Sequence, residues 1–157
     1  MKPAIRPAIA ADAVLLSSLN ADVQAIHAQA MPWWFKPPGP ETFPPAAAAA
    51  LLARAENLVF LAEVGSEPAG YAYAEVLQRP ENPFRYAYQM VYLHHLSVRP
   101  AWRRRGIGEA LVEAVRAAAA ERGITLLGLD VWSFNSAVRA FFRRQGFATY
   151  NERMWDR

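Results

Sequence analysis

One segment constrains the fold of this chain most: a strand-like run, a turn with two glycines, and an amphipathic helix follow one another. The second half of the run 85–98 is apolar on both faces of the pleat, which is typical of a central, buried strand. The turn reads Arg103-Arg104-Arg105-Gly106-Ile107-Gly108, and Ile107, Leu111 and Val115 then recur at helical spacing. A strand that leads into a helix through a tight turn predicts helices packed on a sheet.

The remaining pattern predicts a single fold with the order β-α-α-β-β-β-α-β-α-β. This is an α/β fold, an α+β sandwich in which a mixed central sheet carries helices on both faces. The strands are predicted at 5–7, 57–64, 69–77, 85–98, 124–131 and from 147 onward, and the helices at 12–20, 22–30, 44–56, 107–122 and 135–144.

Length and composition exclude several classes of protein. The 157 residues suit one domain, 1–157, and 54% hydrophobic residues are too many for a disordered chain. The longest apolar run, 46–53, is far shorter than the roughly 20 residues of a membrane helix. The first residues lack the apolar stretch of a signal peptide, so we expect a cytoplasmic protein without membrane contact. The absence of cysteine excludes disulfides and thiolate metal sites, and we expect no metal.

Charge is distributed unevenly along the chain. Residues 1–98 carry 6 Lys and Arg against 8 Asp and Glu, whereas residues 99–157 carry 11 against 6. The basic half is either a solvated surface or the binding region for an anionic partner, a phosphate-bearing ligand or nucleic acid. No nucleic-acid-binding motif is present, so nucleic acid is not expected as a partner.

The glycine turn favours the phosphate-bearing ligand. Such a turn places unpaired backbone N–H groups and the positive end of a helix dipole at one point. Gly106 and Gly108 allow close backbone approach, and the arginines just before them add charge and forked donors. Position 111 is Leu, which departs from a dinucleotide-binding motif, and there is no Lys-Ser or Lys-Thr pair of a P-loop.

Two motifs carry a resemblance to a known family. The segment Leu96-x-Val98-x-Pro100-x-x-Arg103-x-x-Gly106-x-Gly108 resembles the acetyl-CoA signature of the GNAT superfamily of N-acetyltransferases. Downstream, Asn135, Phe142, Gly146 and Phe147 match a second motif of that family in order and spacing. The resemblance covers about 57–147 in element order. It implies a protein that moves the acetyl group of acetyl-CoA, its acyl donor, to a primary amine.

The resemblance also implies where the cofactor lies. The sheet should splay between the strands near 91–98 and 124–131, and pantetheine should lie in the gap, hydrogen-bonded to the strand backbone. Pyrophosphate should lie on the glycine turn. The cofactor-binding residues implied are Leu96, Ser97, Val98, Arg103, Arg104, Arg105, Gly106, Ile107, Gly108, Glu109, Asn135 and Phe142.

Acetyl transfer needs a base, since a free amine is mostly protonated at neutral pH. His94 and His95 are the leading candidates because imidazole titrates in the useful range. Strand alternation predicts opposite faces for them, with His94 on the face of Tyr92, Leu96 and Val98. Arylalkylamine-type members of the family have a histidine at the position that matches His94. The alternative is a pair of histidines hydrogen-bonded for packing.

Glu75 is the second choice as base, after the two histidines. Phe142 stands where the family commonly has the tyrosine credited with protonating the leaving thiolate, and phenylalanine donates no proton. Either the thiolate leaves unprotonated or takes its proton from water, or Tyr92, Tyr73 or Tyr150 substitutes, or activity is low. Without cysteine, we expect direct attack and no acyl-enzyme.

The acceptor is suggested only by aromatic residues. Trp33, Trp34 and Phe35 lie in the region where the family builds its acceptor pocket, and they suit a cationic or aromatic amine. A hydrophobic plug or a homodimer contact is the alternative. We expect a small-molecule amine as acceptor. A protein or peptide N-acetyltransferase and a non-catalytic acyl-CoA-binding sensor are the competing functions.

Overall fold

A five-stranded mixed sheet organises the chain in the computed structural model, which describes residues 2–157. The strands lie in the order β1-β2-β3-β4-β5, antiparallel except for the parallel pair β4 and β5. The predicted α/β class is confirmed. The elements are β1 (Ala4–Pro7), α1 (Ala13–Ala30), α2 (Pro45–Leu52), β2 (Asn57–Val64), β3 (Glu67–Arg79), β4 (Tyr88–Val98), α3 (Ile107–Glu121), β5 (Leu127–Leu129) and α4 (Ser136–Arg144).

Each face of the sheet buries its own apolar cluster. Helices α1 and α2 cover one face, where Leu16, Leu19 and Tyr71 are fully buried. Helix α3 covers the other face with Leu111 and Val115, as its apolar spacing predicts. Within residues 2–157, no helix has the length and apolar composition needed to cross a bilayer.

A β-bulge in β4 changes the predicted orientation of the two histidines. Tyr73 of β3 pairs with His95, whereas the next residue, Ala74, pairs with Leu93, so His94 is an extra residue in the ladder. The rings of His94 and His95 both contact Tyr73, with centroids 4.8 and 5.2 Å away. The prediction of opposite faces is therefore wrong, because strand alternation holds only where the ladder is regular.

The bulge also divides the residues predicted to share a face with His94. Leu96 and Val98 pack into the α3-side cluster. Ser97 points to the opposite face, where its hydroxyl donates to the carbonyl of Leu19 in α1 at 2.7 Å. Tyr92 stays beside His94 as predicted, and the centroids of their two rings are 4.9 Å apart.

The predicted splay of the sheet is confirmed. Strand β5 pairs with β4 only from Val91–Leu127 to Leu93–Leu129. The last five residues of β4, 94–98, extend past this pairing and keep β3 as their neighbour on one side alone. The divergence leaves one backbone edge of β4 open at the end where the bulge lies.

Some predicted elements have different bounds. The helices predicted at 12–20 and 22–30 form the single helix α1. Asn20 and Asp22, at the predicted junction, do not interrupt its hydrogen-bonded turns. The strand predicted at 124–131 shortens to three residues as the sheet splays. The strand predicted from Phe147 onward does not form: the Phe147 amide donates instead to the carbonyl of Phe142, and its ring packs on that side chain.

Candidate active site

The open edge of β4 offers backbone groups rather than side chains. Leu96 and Val98 are half-buried in the core and Ser97 is buried, so their side chains are occupied by packing or by the bond to α1. In an antiparallel ladder, alternate residues direct N–H and C=O away from the paired neighbour. With β3 on one side, the remaining groups of 94–98 face the gap left by β5, where the Val98 carbonyl already accepts from Arg103 Nε at 3.0 Å. An extended ligand can hydrogen-bond there like an added strand.

The loop from β4 to α3 has the geometry of an anion site. Within residues 2–157, Arg104 is the only residue other than glycine with a positive φ, 59°, and Gly106 follows at 77° as the N-cap of α3. The first amides of α3, from Ile107 onward, have no partner within the helix. Arg103, Arg104 and Arg105 are exposed around these amides. The Arg103 guanidinium is held by the Val98 carbonyl and that of Arg105 lies above the Trp102 ring, so guanidinium charge flanks the amide dipoles at the start of α3.

Three other residues from the predicted cofactor set have structural contacts. A Cβ at Gly108 would lie 3.3 Å from the Phe141 ring, so this glycine lets α3 approach α4 closely. Asn135 caps α4, its Oδ1 accepting the amide of Val138 at 3.2 Å. Phe142 is 7% exposed and packs edge-on against Phe141 within the core. Contact of these residues with a cofactor stays a prediction.

His94 and Glu75 form a hydrogen-bonded pair at the bulge. His94 Nε2 lies 2.8 Å from Glu75 Oε2 on the neighbouring strand β3. An ionised carboxylate only accepts hydrogen bonds, so the bond places the imidazole proton of neutral His94 on Nε2. The lone pair of Nδ1 is then free to accept a proton. The His94 side chain is one-third exposed, which keeps it within reach of solvent or substrate.

His95 has a different environment, although it is adjacent in sequence. Its Nδ1 lies 2.9 Å from the Tyr71 hydroxyl, and that oxygen accepts the side-chain amide of buried Asn20 at 3.0 Å. Because Asn20 donates to the hydroxyl, the Tyr71 proton is directed to Nδ1, and the imidazole proton of His95 lies on Nε2. Burial, reinforced by neighbouring His94, lowers the pKa of His95 to about 4. His95 is thus neutral at pH 7, and its Nδ1 accepts the Tyr71 hydrogen bond rather than a proton from substrate.

Asn20 and Tyr71 were not singled out from the sequence. Its place next to the apolar Leu19, on the buried side of α1, is the only sequence signal for Asn20, and it does not indicate the partner.

Two tyrosines flank the His94 ring. Tyr73 stacks on it at 4.8 Å and Tyr92 lies tilted against it at 4.9 Å. Burial raises the pKa of Tyr73, and burial together with the Asp130 carboxylate raises the pKa of Tyr92. Both phenols therefore keep their protons at neutral pH. Tyr150, the third tyrosine considered, is 79% exposed.

The aromatic residues predicted to bind the acceptor lie together beside the gap. The Phe35 ring contacts Trp132, which follows β5, at 4.9 Å, and Trp33 and Trp34 contact each other at 5.7 Å. Trp155 completes the group, 5.1 Å from Trp34. Trp132 and Trp155 are not predicted from the sequence as part of this group, because only the fold brings them to the 31–35 segment.

Comparisons with known proteins agree with this geometry. Residues 27–147 match the sequence profile of the Acetyltransferase (GNAT) family. No curated protein sequence is significantly similar to the chain. Among solved structures, a tetramutant of the BH1408 protein from Bacillus halodurans is 22% identical with a TM-score of 0.92, over 98% of this chain and 99% of that one.

Two other solved structures share the fold. A transcriptional regulator from Bacillus halodurans C-125 is 19% identical with a TM-score of 0.77, over 99% of both chains. The aminoglycoside acetyltransferase AAC(6')-Iy in complex with the bisubstrate analogue CoA-S-monomethyl-acetylneamine is 18% identical with a TM-score of 0.77, over 100% of this chain and 98% of that one.

Proposed function

This chain belongs to the GNAT family of acetyltransferases and is an acetyl-CoA-dependent acyltransferase, and we propose that it transfers acetyl directly to the primary amine of a small molecule. The hydrogen-bonded pair of His94 and Glu75 carries this proposal. The pair lies at the β4 bulge, directly after the last residue of β4 that pairs with β5. A potential base is thus placed where the sheet opens.

The cofactor occupies the splay and the arginine loop. The pyrophosphate binds the amides at the start of α3 and the guanidinium groups of Arg103, Arg104 and Arg105. The pantetheine bonds to the backbone edge at Leu96 and at the Val98 amide, since the Val98 carbonyl accepts from Arg103 Nε. The exposure of the three arginines and the left-handed conformations at Arg104 and Gly106 support the first contact. The termination of the β4–β5 ladder supports the second.

His94 accepts the proton of the acceptor ammonium on Nδ1, directly or through a water molecule. The amine nitrogen then attacks the thioester carbonyl, the C–S bond breaks, and the CoA thiolate leaves. Glu75 orients the imidazole and stabilises its protonated form. A backbone N–H on the open edge near Leu96 stabilises the tetrahedral oxyanion. His95 accepts the Tyr71 hydroxyl on Nδ1 and holds the bulge in place through this bond.

Tyr92 protonates the thiolate, because Phe142 has no hydroxyl and the Tyr92 phenol, which keeps its proton at neutral pH, lies against His94. After attack, the nitrogen still carries a second proton that the amide product does not have. His94 passes the ammonium proton to solvent, takes this second proton and returns it to Tyr92, so one turnover forms the amide and the CoA thiol and releases one proton to solvent.

The test is release of CoA thiol from acetyl-CoA with a panel of amines: aromatic, polyamine, aminoglycoside, amino-acid and peptide. Turnover on a small amine that His94→Ala abolishes and His95→Ala only reduces supports the proposal. Preference for peptides would favour a protein N-acetyltransferase. Tight acetyl-CoA binding without turnover on any amine would favour the sensor function, which the absence of a hydroxyl at Phe142 motivates.

The homodimer and the cytoplasmic location stay predictions. Sedimentation equilibrium of the purified chain tests the first, and cell fractionation tests the second.

A further inference from the structure

The segment 148–157, here called the arm, contacts the rest of the chain through the ring of Trp155 and the guanidinium of Arg157. Every residue of the arm is exposed and none forms a helix or strand. The Trp155 ring nevertheless lies 5.6 Å from Trp33, 5.1 Å from Trp34 and 6.3 Å from Trp132. Four of the five tryptophans of the chain thus meet at one place, where the arm covers the 31–35 segment.

A cation already occupies the face of this cluster. The guanidinium carbon of Arg157 lies 3.6 Å from the centre of the Trp33 ring, which is stacking contact. The other arginines above aromatic rings in residues 2–157 lie 5.1 to 5.6 Å from the centroids. Trp33 and Trp34 remain about half exposed, so solutes reach the cluster from solvent. Tryptophan is the aromatic side chain that attracts cations most strongly.

The cluster borders the candidate active site. Trp132 lies three residues beyond Leu129, the β5 residue that pairs with Leu93, and His94 is the next residue after Leu93. The arm itself passes near the His94 side of the sheet, since Tyr150 and Arg153 lie close enough to Tyr92 to influence its pKa. The arm therefore extends from the neighbourhood of the proposed proton donor to the tryptophans.

We propose that Trp33, Trp34 and Trp155 form a binding site for a second cationic group of the acceptor, and that Arg157 occupies this site until the acceptor displaces it. This deepens the proposed function and rests on it, since it assigns the substrate class as amines with at least two positive charges. One amino group lies at His94, and the other lies on the tryptophan rings. The Arg157 guanidinium of the arm thus competes with the substrate for the tryptophan rings.

The test is calorimetric binding of spermidine and of butylamine to the full chain in the presence of CoA. The variants are Arg157→Gln, Trp33→Ala and, as matched control, Arg144→Gln, which removes one exposed guanidinium at the end of α4. Arg157→Gln should lower the Kd for spermidine about two- to fivefold, the range of an exposed cation–π contact. Trp33→Ala should raise this Kd at least as much. Arg144→Gln, and butylamine with its single ammonium, should show no such change.

Three results would overturn the proposal: no spermidine binding to the unmodified chain, the same Kd for spermidine in Arg157→Gln and Arg144→Gln, or unchanged binding in Trp33→Ala. Trp33 is half exposed, so its replacement leaves the core intact. Thiol release separates the two proposals. If the Kd pattern appears without acetyl transfer, the cation site stands and the proposed function fails. If spermidine is acetylated without the pattern, the proposed function stands and the cation site fails.

Discussion

His94 Nε2 lies 2.8 Å from Glu75 Oε2, and this contact exists because the bulge in β4 places His94 on the face of β3 that carries Glu75. In a regular ladder, one of two adjacent histidines would point away from that face. The bulge brings both rings against Tyr73 but gives only His94 a carboxylate partner. We therefore propose separate roles for the two histidines: His94 as proton acceptor, and His95 as a neutral residue that anchors the bulge through Tyr71.

Replacement of His94 by alanine should lower kcat/KM for the amine about 100- to 10,000-fold, the usual contribution of a general base. Glu75→Gln should cost about 10- to 100-fold, because an amide still accepts the hydrogen bond but no longer stabilises the protonated imidazole. Glu56→Gln is the matched control, since Glu56 bonds Arg54 and not a histidine. Thiol-release kinetics measure all three. Equal losses in Glu75→Gln and Glu56→Gln would contradict the assigned role of Glu75.

The backbone at Arg104 leads to a second prediction, in which stability and cofactor affinity change in opposite directions. A non-glycine residue at φ 59° is strained by about 1–2 kcal/mol, and glycine removes that strain at an entropic cost of about 0.5–1 kcal/mol. Arg104→Gly should therefore raise the free energy of unfolding by up to about 1 kcal/mol. It should also raise KM for acetyl-CoA about three- to tenfold, because a phosphate-binding guanidinium is lost.

The control is Arg105→Gly, where the backbone has no positive φ to relieve. Urea denaturation should show this variant to be destabilised, with a similar increase in KM. If Arg104→Gly were destabilised to the same extent, the strain at Arg104 would be absent.

Structural features formed by residues close together in the chain can be predicted from the sequence. The strand–turn–helix at β4 and α3 follows from local chemistry and is present, with Gly106 of the predicted turn as the N-cap of α3. The pairing of β4 with β5 and its early end agree with the splay implied by the family motifs.

Contacts between residues far apart in the chain cannot be predicted from local sequence patterns. The bond from Asn20 to Tyr71 spans 51 positions and the bond from Tyr71 to His95 spans 24, so no local pattern indicates either. The bulge is equally hidden, since no glycine or proline in 88–98 marks its position. Trp155 reaches Trp33 only because the strand predicted from Phe147 onward does not form.

Replacing Tyr92 and Tyr73, whose rings both contact His94, tests which side chain protonates the leaving thiolate. Tyr92→Phe should lower kcat about tenfold or more and leave KM for acetyl-CoA unchanged, because the proton donor acts only after attack. Tyr73→Phe is the matched control, as it keeps the ring stacked on His94 and removes an equally protonated hydroxyl. The kcat values from thiol release decide between them. A larger loss in Tyr73→Phe would transfer the role to Tyr73.

The buried environment of His95 predicts how stability changes with pH. Its pKa is about 4 in the folded protein against an ordinary 6.5, so between these pH values the unfolded chain binds a proton that the folded protein does not. The free energy of unfolding should therefore fall as pH decreases from 6.5 to 4, by up to about 3 kcal/mol from this group. Above pH 6.5 His95 contributes no slope. Urea denaturation at pH 7, 5.5 and 4.5 should show a smaller decrease in His95→Gln than in the unmodified protein. The variant His94→Gln should retain most of the decrease, because burial is the larger cause of the lowered pKa of His95 and the charge of His94 the smaller one. An identical slope in all three proteins would show that His95 is not buried as a neutral imidazole.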